Sequence, residues 1–436
     1  MIPRMKFLTL AGVLTLLVLT SVFADHGPAT VTIEHNGTQY RLLRNGDPYF
    51  IKGAVGANRL DLLKASGGNS VRAGVNSLDI AQQQGLTVLV GLSIGNPRHG
   101  FDYSNPEKVR QQFENARTTV RKYKDHPALL MWALGNEMEI NTTPAERVPI
   151  WKSVNEIARM IHEEDGKHPA ITVMGDAYRR ILTEVKDQCP DIDAMGLNAY
   201  VDMLTLPEDI AHQGWTKPYV VTEFGPRGHW QVAKTPWGVP LEDSSTEKAA
   251  FYLQAYKHSV ADQPLCLGSY VFYWSQKQEK THTWYGMFLP DGSRTEAIDA
   301  MQRAWTGVYP TNRCPTMGPA KIQIISEADL ARKTNIYLTG SRLRCAIQAT
   351  DPDNDPITIL WDLRPDVAGN PNVGGDWEPN VEPIADSIIA TKNSTVEVRL
   401  PAVPGKYRLF VYARDNHGGA ATANLPLLVV DKAPEK

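Results

Sequence analysis

Cysteine is scarce in this chain, with four residues, at 189, 266, 314 and 345, among 436. That is too few for a disulfide-built scaffold, and their spacing is not that of a zinc site. A surplus of either charge is also missing, since 45 Lys and Arg face 48 Asp and Glu for a net charge of -3. Without a basic excess to neutralise phosphates, no nucleic-acid partner is expected. Compositional bias is absent as well: 42% hydrophobic and 21% charged residues are ordinary for a globular protein. Disorder, collagen and a multi-span membrane protein are therefore ruled out. Long apolar runs are missing except at the start, where Phe7 to Val22 follows Arg4 and Lys6 and leads to Val22-Phe23-Ala24. A charged n-region, a short apolar stretch and small residues at -3 and -1 predict a signal peptide over residues 1–24. The run is short for a bilayer of about 30 Å and no Cys follows it, so neither stable membrane insertion nor a lipid anchor is indicated. The expectation is a secreted, periplasmic or extracellular protein, with Cys314 and Cys345 as the pair to test for a disulfide.

Aromatic residues, by contrast, are plentiful, with 10 Trp and 16 Tyr. Aromatic wealth with near-neutral charge suits a neutral, ring-shaped ligand. After residue 24 a hairpin is expected, Val31 to Glu34 and Thr38 to Leu43 around Asn36-Gly37, with a type I′ turn there and a second turn at Asn45-Gly46. Eight short apolar runs follow, at 49–55, 69–73, 87–94, 129–134, 170–174, 194–198, 219–222 and 267–273. Helical periodicity fills the intervals at 58–66, 76–84, 106–124, 145–164, 178–187, 207–213 and 246–261, and an eighth helix at 295–305 closes the series. The runs are continuously apolar, as expected of parallel strands buried on both faces. Eight βα units in about 260 residues predict a (β/α)8 TIM barrel over residues 25–308. A doubly wound sheet would want a phosphate-binding glycine fingerprint after its first strand, and Gly53-Ala-Val-Gly56 is not one. Residues 309–319 form a Pro-rich linker. Residues 320–436 carry strand-like runs without helical periodicity, the pattern of a small all-β sandwich resembling Ig, cadherin and PKD-type domains. Asp351-Pro-Asp-Asn-Asp-Pro reads as a solvated acidic turn in preference to a calcium site, because no bidentate Glu accompanies it.

Barrel enzymes carry their chemistry at the C-terminal ends of the strands. Those ends present Arg72 after strand two, Asn136-Glu137 after strand four, Asp176 after strand five, and Asn198 and Tyr200 after strand six. Glu223 follows strand seven and Trp274 strand eight. Glu137 and Glu223 end strands too apolar to bury a charge without cause, and they face each other across the barrel mouth. Two such carboxyls are what glycosidic bond cleavage requires, one protonated to donate and one ionised to attack. Trp132-Ala-Leu-Gly-Asn-Glu137 and Val221-Thr-Glu-Phe-Gly225 resemble the acid/base and nucleophile motifs of clan A glycoside hydrolases. Arg44-Asn-Gly-Asp-Pro-Tyr-Phe-Ile-Lys-Gly53 and Gly68-Asn-Ser-Val-Arg72 resemble the barrel of the family 2 enzymes, whose large N-terminal domains this chain lacks. The resemblance spans residues 40–306.

It implies Glu137 as acid/base, Glu223 as nucleophile, Asn136 as partner of the sugar 2-hydroxyl and Arg72 as the cation beside Glu223. It further implies Tyr200 as a donor to Glu223 and Trp274 as the floor of the sugar site. Asp176 fits either a substrate contact or a helix cap, and Glu139 reads as a loop charge. Trp230, Trp237, Trp284 and Tyr285, in the loops after strands seven and eight, are candidate sugar subsites. No metal triad is visible and no cofactor is implied. The expected activity is that of a secreted retaining β-glycosidase acting on a β-linked poly- or oligosaccharide, with β-glucan favoured. The alternatives are a transglycosylase using the same two glutamates and, in another class, a non-catalytic carbohydrate-binding or cell-surface protein.

Overall fold

The computed structural model describes residues 27–175, 181–318, 322–326, 334–366 and 378–432. The segment read as a signal peptide and Asp176 lie outside the described residues. No helix among those described is long and apolar enough to cross a membrane.

Three short antiparallel strands open the fold: β1 (Val31–His35), β2 (Tyr40–Arg44) and β3 (Asp47–Pro48). The tight turn falls one connection later than the sequence suggested. His35 pairs with Tyr40 across a four-residue loop in which the Asn36 side chain accepts the backbone N–H groups of Thr38 and Gln39. Arg44 pairs with Asp47, and Asn45 and Gly46 both take positive φ, 53° and 85°, as a two-residue type I′ turn demands. Backbone bonds from Val31 to Lys167 and from Tyr40 to Pro264 fasten this small sheet across the closed end of the barrel. There Val31 and Leu42 pack onto Ile51, Leu89 and Leu130.

The barrel consists of eight parallel strands: β4 (Ile51–Val55), β5 (Ser70–Ala73), β6 (Thr87–Leu92), β7 (Leu129–Leu134), β8 (Ala170–Met174), β9 (Ala194–Asn198), β10 (Tyr219–Phe224) and β11 (Cys266–Val271). They pair in chain order, and β11 closes on β4. All six residues of β7 are buried, which is why its sequence shows no alternation. The surrounding helices are α1 (Leu60–Ala65), α2 (Leu78–Gln83), α3 (Pro106–Tyr123), α4 (Pro144–Glu164), α5 (Ile181–Gln188), α6 (Leu206–His212), α7 (Ser245–Ser259) and α8 (Glu296–Thr306). Capping boxes begin α4 (Thr143 with Glu146) and α7 (Ser244 with Glu247).

A two-residue strand, β12 (Arg294–Thr295), lies between β11 and α8, and among the described residues ten more strands follow the barrel: β13 (Thr316–Met317), β14 (Gln323–Ile324), β15 (Ile336–Leu338), β16 (Arg342–Ala346), β17 (Ala349–Thr350), β18 (Thr358–Pro365), β19 (Ile388–Lys392), β20 (Thr395–Arg399), β21 (Gly405–Arg414) and β22 (Gly419–Val430). One sheet runs β14-β16-β20-β19 and the other β12-β22-β21-β18, with β15 added alongside β22. Leu343, Cys345, Val396 and Val398 from the first sheet share a core with Leu363, Leu409, Val411 and Leu427 from the second, giving a two-layer sandwich.

Barrel and sandwich are joined by strand pairing, because Arg294 and Thr295 of the barrel pair with Gly419 and Ala420. Behind that seam Glu242 is buried with Lys248, whose Nζ stands 2.6 Å from Glu242 Oε1, and Asn424 of the sandwich donates to Glu242 Oε2 at 2.7 Å. The residues read as a linker are fastened to the barrel: Cys314 N–H donates to Asp299, Met317 N–H to Thr246, and the Tyr309 ring packs under the Arg313 guanidinium. The four cysteines form no disulfide. Cys314 is buried at the seam beside the Arg294 carbonyl, whereas Cys345 is buried inside the sandwich, so burial and not cross-linking accounts for both. In the acidic turn, Asp351 Oδ1 accepts the N–H groups of Asp353 and Asp355, and Asp353 accepts that of Arg313.

Candidate active site

The ends of β5, β7, β9 and β10 bring Arg72, Asn136, Glu137, Asn198, Tyr200 and Glu223 into one connected network. Arg72 Nη1 donates to Glu223 Oε1 at 2.7 Å and to the Thr222 carbonyl at 3.1 Å, while its Nη2 donates to Asn136 Oδ1 at 2.6 Å. The guanidinium thus pairs with one glutamate and, through Asn136, holds the strand end that carries the other. Tyr200 OH donates to Glu223 Oε2 at 3.2 Å. Burial first, and the Glu223 charge second, push that phenol well above its usual pKa of 10, so it remains a donor. Asn136 turns its Oδ1 to Arg72 and to Asn198, which leaves its amide N–H groups for a ligand.

Glu137 is reached by a strained backbone. Its φ is +52° and that of Gly135 is +76°, both in the left-handed region. At Gly135 an added Cβ would also strike the Met138 side chain at 2.8 Å, so only glycine fits. The turn is held from both neighbours: Glu137 N–H donates to the Val173 carbonyl at 2.9 Å, and Asn96 donates to the Asn136 carbonyl at 2.8 Å. Asn198 donates to Glu137 Oε1 at 2.8 Å. Burial, reinforced by the nearby charge of Glu223, raises the Glu137 carboxyl to about 7 against the opposing Asn198 bond. The two glutamates therefore differ as acid/base chemistry requires: one sits beside a guanidinium, and the other sits where its proton is retained near neutrality.

Aromatic side chains wall one flank. Tyr200, Phe272 and Tyr285 meet edge to face, and Trp284 packs on Tyr285 with its ring tilted by 38°. Trp230 projects from this cluster, 47% exposed, with its ring 5.4 Å from Tyr200. Lys277 lies over the Phe272 ring at 5.1 Å and pairs with Glu279 at 2.6 Å, and Glu279 also approaches His229 at 3.5 Å.

Two sequence assignments are corrected here. Trp274 is fully buried: its ring packs on Phe288 and Trp305 and its Nε1 donates to the Arg59 carbonyl, so it belongs to the core between barrel and helices and cannot floor a sugar site. Phe272, two residues earlier, faces the Tyr200 cluster in its place. Trp284 does join the aromatic cluster, but it is 1% exposed with Nε1 bonded to the Arg227 carbonyl, so it backs the wall and does not line it. Asn198 and Asn96, which were given no role from sequence, contact Glu137 directly, Asn198 at its carboxyl and Asn96 at its backbone carbonyl. Their signal was present only as a polar residue ending an apolar strand and an Asn after β6, neither of which specifies a partner.

Residues 71–231 match the family model described as glycosyl hydrolases family 2, TIM barrel domain. A curated β-glucuronidase from Paenibacillus borealis is 25% identical in an alignment of 250 residues that covers 46% of this chain and 39% of that protein. Among solved structures, the β-glucuronidase of Bacteroides uniformis aligns over 92% of this chain and 48% of its own, with a TM-score of 0.48 and 15% identity. A family 2 β-galacturonidase from Eisenbergiella tayi bound to galacturonate aligns over 65% of this chain and 55% of its own, with a TM-score of 0.49 and 17% identity. The chain thus spans about half the length, or less, of the relatives it matches.

Proposed function

We propose that this chain, whose barrel is related to those of the family 2 glycoside hydrolases, is a retaining β-glycosidase. The observation that carries the reading is the asymmetry of the two carboxyls: Glu223 is bonded to Arg72 and Tyr200, while Glu137 is raised to about 7 and bonded to a neutral amide. In the first step Glu223 attacks the anomeric carbon as Glu137 gives its proton to the leaving oxygen, and a glycosyl ester forms on Glu223. Once that ester exists the Glu223 charge is gone, one cause of the raised Glu137 pKa disappears, and Glu137 can take a proton from water. Water then attacks the anomeric carbon and releases Glu223 with the β configuration restored. Asn136, with N–H groups directed away from Arg72, is placed for the 2-hydroxyl contact that strengthens in the transition state.

Retention requires carboxyls about 5–5.5 Å apart, too close to seat a water opposite the leaving group. Glu137 feels the Glu223 charge, and Asn198 joins Glu137 to the Arg72 that holds Glu223, so the two carboxyls act within one network. For substrate we propose a neutral β-linked gluco-oligosaccharide or β-glucan. Arg72 and Lys277 each face a carboxylate of the protein, so their charge is met internally, and Trp230 offers an exposed ring for a sugar face. The relatives named for uronides make a uronic acid the competing substrate class. Export is part of the proposal and rests on residues 1–24; a mature N-terminus at residue 25 would support it.

The test is hydrolysis of aryl β-glucosides, β-galactosides and β-glucuronides and of β-glucan oligosaccharides, with the first product followed by NMR. A β-anomer from a neutral substrate is expected. An initial α-anomer overturns retention, and a preference for the glucuronide overturns the substrate class.

A further inference from the structure

Glu139 lies two positions beyond the acid/base, and its side chain is buried although nothing in the reaction above uses it. It is 4% exposed. A carboxylate so placed is costly unless it is paired or hydrogen-bonded. Its Oε1 accepts the backbone N–H of Gly175 at 2.6 Å, a charge-assisted bond from the loop after β7 to the residue that follows β8. The Glu139 backbone is itself held, since Thr142 donates to its carbonyl through both Oγ1 and N–H, at 2.5 and 3.2 Å. Arg147, which donates to the Thr142 carbonyl, lies close enough to feel the Glu139 charge.

Gly175 is also the wall on which the acid/base rests. A Cβ at that position would stand 2.8 Å from Glu137 Cδ and Cγ and 2.9 Å from its Oε1, closer than side chains pack. Since Glu137 N–H is bonded to the Val173 carbonyl, the end of β8 touches the acid/base at two points. A displacement of Gly175 therefore becomes a displacement of the proton donor. We propose that Glu139 is a positioning residue for Glu137: its carboxylate clamps the Gly175 N–H and fixes the bare backbone wall that sets the acid carboxyl. This rests on the glycosidase reading and deepens it.

Leaving-group dependence tests the clamp, because a misplaced proton donor harms substrates that need protonation and spares those that do not. In Glu139→Ala and in Gly175→Ala, kcat/KM for an alkyl or unactivated aryl β-glucoside should fall about 30-fold or more, while that for the dinitrophenyl glucoside stays within about threefold. Glu139→Gln keeps an acceptor oxygen and should remain near wild type on both. If Glu139→Ala does not fold, Glu139→Asp, one methylene shorter, should show the same selective loss in milder form. Equal loss on both substrates, or no loss on either, overturns the proposal. Glu137→Gln runs alongside: if it lacks this leaving-group pattern, the acid/base assignment itself fails, whatever Glu139 does.

Discussion

Asn198 donates its side-chain N–H to Glu137 Oε1 at 2.8 Å, and the orientation of that amide is fixed from the opposite side. Its Oδ1 accepts from Thr222 Oγ1 at 2.8 Å and from Arg72 at 3.4 Å, and because arginine can only donate, the N–H groups must face Glu137. A bond to the ionised form lowers a carboxyl pKa, so Asn198 opposes the rise caused by burial and by Glu223. The alkaline limb of kcat/KM should therefore report an ionisation near 7, with activity lost as Glu137 deprotonates. In Asn198→Ala the same limb should move to higher pH, with a lower plateau. A limb unmoved or shifted to lower pH would show that Asn198 does not act on the acid.

Glu137→Gln and Glu223→Gln should each lower kcat on an unactivated glycoside by about three decades while the protein stays folded. Azide should restore turnover of a dinitrophenyl glycoside by Glu137→Ala, giving a β-glycosyl azide. For Glu223→Ala any azide product should carry the α configuration. Activity within tenfold of wild type in either glutamine variant would refute the pair.

Trp230 is exposed at the edge of the aromatic wall, so its removal costs contact with substrate more than packing. Trp230→Ala should raise KM for oligosaccharides by about tenfold, in line with one aromatic contact of about 0.5–1.5 kcal/mol, and leave kcat for a small aryl glycoside unchanged. Kinetics on a series of chain lengths separates the two effects.

Glu296 begins α8 at the seam with the sandwich and accepts from Ser245 and Thr246 at 3.0 and 2.5 Å. Burial raises its carboxyl from 4.5 to about 7 in spite of those bonds. The folded protein thus holds this proton more tightly than the unfolded chain does. Its contribution to stability is complete below about 4.5 and declines as pH rises towards 7, by up to about 1.4 kcal/mol per pH unit. Urea unfolding at pH 5 and pH 8 should show a smaller difference for Glu296→Gln than for wild type. An identical difference would mean that Glu296 is not the titrating group.

Truncation at residue 310 should cost more than a detachable module would. It strips Gly419 and Ala420 from β12, removes the Asn424 donor from buried Glu242, and takes the Met317 bond from Thr246. It also bares Leu289, which packs on Phe410, Tyr412 and Ala420, so the truncated barrel should be poorly soluble and inactive on soluble and insoluble substrates alike. A folded, active barrel would show the sandwich to be dispensable.

Much of this molecule follows from local sequence. Continuous apolar runs alternating with helical periodicity specify buried parallel strands and their helices, because burial on both faces leaves no other pattern. The eight observed strands start and stop within three residues of the runs. Glu137 and Glu223 were legible for the same reason: a carboxyl at the end of an apolar strand stands out against its surroundings, and Arg72 and Tyr200 lie at equivalent strand ends. What sequence could not assign is direction and depth. Trp274 and Phe272 are two residues apart and equally aromatic, and only the path of the chain beyond β11 sends one into the core and the other to the mouth. Glu139 read as a loop charge because its partner is a backbone N–H 36 positions away, and a backbone group carries no residue signature. The cysteines show the same limit: the sequence offered Cys314 and Cys345 only as a pair to test, and folding placed one at the seam and the other inside the sandwich. Chemistry that depends on a residue's type could be read from the chain, whereas chemistry that depends on which surfaces the barrel and sandwich bring together was decided only in three dimensions.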